Sequence, residues 1–292
     1  MKEINFFLKE DFIQFSQDIF DNTNLVKPLK INNFDEAVLT LLKFNHRSIS
    51  PAKREIRRSK TFSCPVNVSD GLILLENKIL NGNNLDPHQS RCLAEPKDKK
   101  FNDLLLFDWD IYHLHLGLRV ETDGFIERTD DLLFAVIKDD VIYELTVQPH
   151  GIWTDLDLLE CINQNWPQLL FFAKINGTLS HSSTSDDLKI LRKKCINSLL
   201  TLSDGTSYFP PGFGYQSDGT SSKVILRANR FIRTVNKILD DIDSSKDQLL
   251  DAVSVHDSPL EAHLEYDDAN GFRAYIMNLN KKAICFSQWF QI

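Results

Sequence analysis

The chain has 292 residues, 42% hydrophobic and 25% charged, the proportions of an ordinary globular protein with length enough for a real core. With 20 phenylalanines against 11 glycines and 10 prolines, it is not collagen-like, low-complexity or largely disordered. Forty-one acidic against 33 basic residues give a formal charge of -8, so a nucleic-acid partner has to meet a local basic patch rather than a basic body.

The opening run, Met1 to Phe12, interrupts its apolar residues with charges too early for a signal sequence or a membrane span. The expectation is a cytoplasmic protein with no membrane partner. Phe12, Ile13, Phe15, Ile19 and Phe20 recur at helical spacing, as do Phe34, Val38, Leu41, Leu42 and Phe44, and predict a helical N-terminal layer over residues 1–100. Within it, residues 51–60 carry five basic side chains in ten positions behind Pro51, a residue suited to a helix's first turn. That segment is either a solvated helix face or an electrostatic grip on phosphate.

From about residue 111 to 148 the period changes from helical to alternating. Three strands are expected, Ile111 to Val120, Leu132 to Lys138 and Val141 to Gln148, joined at Asp123-Gly124 and Asp139-Asp140 into an antiparallel β-meander. With Thr122 facing Phe125 and no bulge, His113 lies opposite Phe134, His115 opposite Leu132 and Arg119 opposite Arg128. Further on, Thr154 and Asp157 resemble a capping box for a helix ending before Pro167. A polar loop, His181 to Ser185, leads to a helix near Asp186 to Leu200. A loop from Thr201 to Ser222 carries Tyr208, Phe209, Phe213 and Tyr215, as a folded turn or as a lid that stacks a base. Val224 to Ile242 reads as helix and Glu261 to Leu279 as a hairpin turning near Asp268 to Gly271. With no repeat and no clear linker, residues 1–292 read as one α+β domain, the core being 101–292 flanked by helices.

Five widely spaced cysteines, Cys64, Cys92, Cys161, Cys195 and Cys285, form no C-x-x-C pair, so neither a disulfide framework nor a thiolate zinc site is signalled. Walker A, dinucleotide, G-x-S-x-G and H-E-x-x-H motifs are absent from the sequence. The chemistry-bearing feature is the strand with His113 and His115, alternate residues that share a face with Arg119, while Tyr112, Leu114, Leu116 and Leu118 supply an apolar face for docking. Metal-free RNA cleavage needs a base for the ribose 2′-hydroxyl, an acid for the leaving oxygen and cations for the phosphorane. His113, His115 and His150 are the candidate acid and base, Arg119 and Arg128 the candidate phosphate grip, and Tyr143 a supporting residue. The rival readings are a metal held by His113 and His115 with His150, Asp108 or Asp110, and histidines that are structural.

The runs Asp108 to Leu116 (D-W-x-I-x-H-L-H-L), Arg128 to Ala135, His150 to Trp153 and Asn165-Trp166-Pro167 resemble a pattern of bacterial proteins of unassigned activity. More distantly, the strand, basic turn and histidine-terminated hairpin resemble the core of RelE-type and HigB-type messenger-RNA interferase toxins over about 50 residues. Those toxins are small and basic, unlike this chain. The resemblance implies a metal-independent endoribonuclease without cofactor, a toxin or defence effector, with RNA as substrate and a protein antitoxin as partner. The alternative is a non-catalytic protein that binds a protein or nucleic acid through the aromatic loop and the segment near Arg57.

Overall fold

The structure is a computed structural model that describes residues 3–150, 155–176, 184–251, 259–278, 283–285 and 287–292. In chain order the first half holds β1 (Ile4–Phe6), α1 (Leu8–Asp21), α2 (Phe34–Arg47), β2 (Glu55–Arg58), α3 (Ser69–Asn81), α4 (Leu104–Trp109), β3 (Ile111–His115), β4 (Asp131–Ile137) and β5 (Val141–Pro149). The second half holds α5 (Asp155–Asn165), β6 (Lys174–Ile175), α6 (Ser185–Lys193), β7 (Leu200–Thr201), β8 (Ser207–Tyr208), α7 (Ser222–Ser244), α8 (Lys246–Asp251), β9 (Leu260–Asp267), β10 (Gly271–Met277) and β11 (Ala283–Cys285). The fold class is α+β, as expected. Among the described residues no helix is long and apolar enough to cross a membrane.

The chain forms two compact units, Met1–Lys43 with Val224–Ile292, and Phe44–Lys223. Both boundaries fall at helices, the first inside α2 and the second in the first turn of α7. That is why no Gly-, Pro- or Ser-rich linker marks them in the sequence. Residues 1–100 accordingly do not form one helical layer: they are divided between the units, and they include β1 and β2 as well as helices.

In the first unit a sheet of order β1-β9-β10-β11 has β1 parallel to β9, and β9 and β10 joined as the expected hairpin. Gly271 closes its turn at φ 87°, a backbone angle that side chains with a Cβ rarely adopt. The helices meet in a phenylalanine cluster. Phe12, fully buried on α1, lies 5.5 Å from Phe34, 4.8 Å from Phe231 and 5.3 Å from Phe272, ring centroid to centroid. On α7, Val224, Ala228, Phe231, Val235, Ile238 and Ile242 are buried at helical spacing, which leaves the opposite face to charged residues.

In the second unit the expected meander is present, β3, β4 and β5 running antiparallel, with β2 added parallel to β5 so that the order is β2-β5-β4-β3. Both faces of this sheet are covered. One carries Ile111, Leu132, Phe134, Val136, Tyr143 and Leu145 against α5, and the other carries Leu114, Leu116, Leu133, Ala135 and Ile142 with α3. A one-residue bulge on β5 shifts the pairing from Phe134 with Thr146 to Ala135 with Glu144. It changes the parity of the strand, so that Leu145 joins one core and Val147 the other.

Several expectations are corrected here. Residues 55–58 are a strand, not a helix: a four-residue edge strand with only Ile56 turned toward the core has no apolar period to reveal it. The basic cluster of this segment is also committed. Arg54 is 7% exposed, and its guanidinium donates to the carbonyls of Lys138 (2.8 Å), Ser50 (2.9 Å) and Ala52 (3.2 Å). Arg57 pairs with Glu55, and Arg58 pairs with Glu144 and Glu76. The helix α6 ends at Lys193 instead of near Leu200, and residues 200–208 form the short β7-β8 hairpin, turning at Gly205, within what reads as loop. The Gly151 to Trp153 run, the Thr154 cap and the segment His181 to Ser183 lie outside the described residues.

The three carbonyl bonds of Arg54 tie the loop before β2 to the β4-β5 turn. Arg54→Ala is expected to cost about 1–3 kcal/mol in urea unfolding, since three part-buried carbonyls lose a charged donor. Arg54→Lys should not restore it, because an ammonium cannot reproduce the planar fork. Wild-type stability of Arg54→Ala would contradict this.

A candidate acid-base site on the outer strand of the meander

The site is built from the two ends of β3 and the exit of β5. Asp103 caps the short helix α4, its Oδ1 accepting from the amide of Leu106 at 3.2 Å. Asp110 then turns the chain in the left-handed region, at φ 53°, into β3. On β3 the pairing is His113 with Phe134 and His115 with Leu132, as the sequence predicts.

The premises behind that register did not hold, and the two departures cancel. The turn pairs Val120 with Ile126, with Gly124 at φ 83°, so three residues rather than two form its tip. The amide of Glu127 then donates to the carbonyl of Arg119. Four steps separate Arg119 from His115 but five separate Glu127 from Leu132, and this extra residue restores the register at the histidines. Arg128 therefore does not face Arg119, and β3 ends at His115 rather than Val120, so strand alternation does not carry Arg119 onto the histidine face. Both arginines are exposed.

The two strand histidines have different surroundings. His115 is 4% exposed; its Nδ1 accepts the amide of Thr129 at 3.2 Å, and its carbonyl accepts Nδ1–H of His88 at 2.8 Å. The other ring nitrogen of His88 accepts from the Lys78 ammonium at 2.9 Å. Burial pulls the pKa of His88 down to about 4, aided by Lys78. Burial does the same to His115, also to about 4, with Arg128 and His113 adding repulsion. Both rings are neutral at cellular pH.

His113 keeps an 18% exposed side chain whose Nδ1 lies 3.5 Å from Oδ2 of Asp103, an electrostatic contact too poorly aligned for a hydrogen bond. Burial lowers its pKa; Asp103 offsets part of this, while Arg47 and His150 act in the lowering sense. Burial also opposes ionisation of Asp103, but His113, Arg47 and the Leu106 amide outweigh it and hold that carboxyl below its usual value. His150, exposed at the exit of β5, is positioned by its amide donating to the carbonyl of Asp130 at 2.8 Å. Its ring stands edge-on to that of His113, centroids 6.4 Å apart. The structure thus brings His113, His150 and Asp103 together.

Tyr143 sits elsewhere, 8% exposed in the core and 5.0 Å from the ring of Trp166. In the aromatic loop Tyr208 and Tyr215 are buried, Phe209 is half-buried and Phe213 is exposed. Among the described residues no group of three His, Cys, Asp or Glu side chains is arranged to hold a metal ion. Cys64, Cys92, Cys161 and Cys195 are free, half-buried thiols. Asp103, His88 and Lys78 were not singled out from the sequence. An Asp directly before Leu104-Leu-Leu106 is a helix-start signal that points to Asp103, whereas nothing local marks His88 or Lys78. No protein-family model, curated protein or solved structure matches this chain.

Because His88 and His115 have folded pKa values near 4, below the unfolded value near 6.5, the unfolded chain binds protons more readily between those limits. Stability is therefore complete above pH 6.5 and falls as the pH drops toward 4, by on the order of 2–3 kcal/mol for each ring. Imidazole nitrogen-15 shifts should show both rings neutral at pH 5.5. A His115 ring that titrates near 6.5 would contradict the assignment.

Proposed function

We propose that the protein is a metal-independent endoribonuclease whose proton transfers are carried by His113 and His150. The observation that carries this reading is the pair of imidazoles 6.4 Å apart, one half-enclosed beside the Asp103 carboxylate and one exposed. A neutral His113 is suited to take the proton of a ribose 2′-hydroxyl, and Asp103 stabilises the imidazolium that results. The 2′-oxygen attacks phosphorus, the bond to the 5′-oxygen breaks, and a protonated His150 supplies the proton that the leaving oxygen needs. The products are a 2′,3′-cyclic phosphate and a 5′-hydroxyl. Arg128 and Arg119, both exposed, are the candidates for the phosphate grip.

His115 has the role of a positioning residue in this scheme, since its Nδ1 is engaged and the ring is sealed from solvent. The resemblance to RelE-type and HigB-type interferases supports RNA as substrate, and extends the reading to a toxin or defence effector neutralised by a protein partner. The burial of His115 and much of His113 favours a second reading, a non-catalytic interaction protein with structural histidines.

Cleavage of a fluorophore-quencher oligoribonucleotide in the presence of chelator separates the two. His113→Ala and His150→Ala should each lower the rate about 10²–10⁴-fold, and a substrate with a 2′-deoxy cut site should resist cleavage. Asp103→Asn should cost less and displace the pH profile. Wild-type protein that cuts no RNA, or cutting undiminished in both histidine variants, would sink the reading.

A further inference from the structure

The basic segment 51–60, which reads as a solvated helix face or a grip on phosphate, has its arginines buried or ion-paired. The helix α7 carries a second cationic run. Between Lys223 and Lys237 there are five basic residues and no acidic one. On the helix α7, Lys223, Arg227, Arg230, Thr234 and Lys237 follow one another at steps of four and three, which aligns them as a stripe along one flank of the buried face, each one residue before a buried position.

This stripe borders a cleft of about 490 Å³ within the first unit, lined by Arg227, Arg230 and Thr234 on one side and by Trp289, Phe290, Gln291 and Ile292 on the other. Arg230 is exposed, and among the described residues its guanidinium has no partner. Arg227 donates to the main-chain oxygen of Ile292 at 2.7 Å, which joins the two walls. The aromatic wall is fixed. Phe290 exchanges two backbone hydrogen bonds of 2.7 Å with Phe272, and its ring lies 5.6 Å from Phe231. The ring of Trp289 has the Arg273 guanidinium 4.5 Å from its centroid, with Arg273 itself paired to Glu265.

An exposed arginine fork, a second arginine one turn before it and a half-buried indole on the facing wall are the groups that bind a phosphate joined to a flat aromatic base. The volume lies within the range of small-ligand sites. We propose that this cleft binds a nucleotide unit, its phosphate on Arg230 and Arg227 and its base against Trp289. The unit comes either from a free nucleotide or from a single-stranded nucleic acid, which share that chemistry. The proposal does not depend on the acid-base site.

The test is fluorescence anisotropy of the full chain with a fluorescein-labelled thymidine decamer. This DNA strand lacks the 2′-hydroxyl and so is not consumed by the cleavage proposed above. Arg230→Glu and Trp289→Ala should each weaken binding at least fivefold, with circular dichroism melts verifying that each variant is folded. Arg230→Ala should reduce the slope of log affinity against log salt by about 0.7, one phosphate contact on a single strand. Should Trp289→Ala unfold, Trp289→Phe, which keeps a stacking face, should fold and retain most of the affinity. Thymidine 5′-monophosphate that displaces the decamer at a similar concentration identifies a free-nucleotide site; a decamer bound more than tenfold tighter identifies a strand. Absence of binding by either probe, affinity unchanged by Arg230→Glu, or affinity unchanged by Trp289→Ala would each overturn the proposal.

Discussion

The buried string from Lys78 through His88 and His115 to the Thr129 amide governs the second unit. It ties α3, the 3-10 turn at Asp86–His88, the end of β3 and the approach to β4 at one point. Both ring nitrogens of His88 and Nδ1 of His115 are engaged, so desolvation acts on neutral rings with three of their four nitrogens hydrogen-bonded. The threonine hydroxyl completes the arrangement: it accepts the amide of Leu116 and donates to the carbonyl of Asp131. Strand pairing therefore stops at His115 because side-chain partners replace the ladder there. The extra residue between Glu127 and Leu132 is accommodated in the same place.

This local geometry separates two histidines that are equivalent on a strand diagram. His115 is anchored at Nδ1 and covered, with Leu132 fully buried across from it. His113, one pleat away, is next to the cap of α4 and to the first residue beyond β5. The cap matters twice. Its carboxylate starts a helix and polarises an imidazole, and both uses favour its ionised form. The bulge on β5 lies at Phe134, the cross-strand neighbour of His113, and so places the irregular part of the sheet one strand away from the half-enclosed member of the site.

The basic residues show how little a linear charge count says about a surface. The cluster at residues 53–60 is dense in sequence, yet Arg54 ends on backbone carbonyls and Arg57 and Arg58 on carboxylates. The run on α7 is more dilute, but helical spacing gathers its charges on one face without an acidic residue between them. Glu144, fully buried on β5, illustrates the cost of such pairing. Burial and the neighbouring Glu76 raise its pKa to about 7 despite the Arg58 guanidinium 2.9 Å away.

Periodicity along the chain determined the α+β class, the three strands of the meander, the helices α1, α2, α5 and α7, and the C-terminal hairpin, because each buries one continuous stripe or alternating face. It also placed His113 and His115 correctly opposite Phe134 and Leu132. What lies between those elements needed the tertiary structure. β2 is held by backbone pairing to β5 and has no pattern of its own. The division into two units falls at helices, and Asp103 meets His113 only because α4 turns back at Asp110. Whether an imidazole is sealed or open, and whether an arginine is committed or free, depends on atoms brought together from distant parts of the chain, and local spacing contains no information about them.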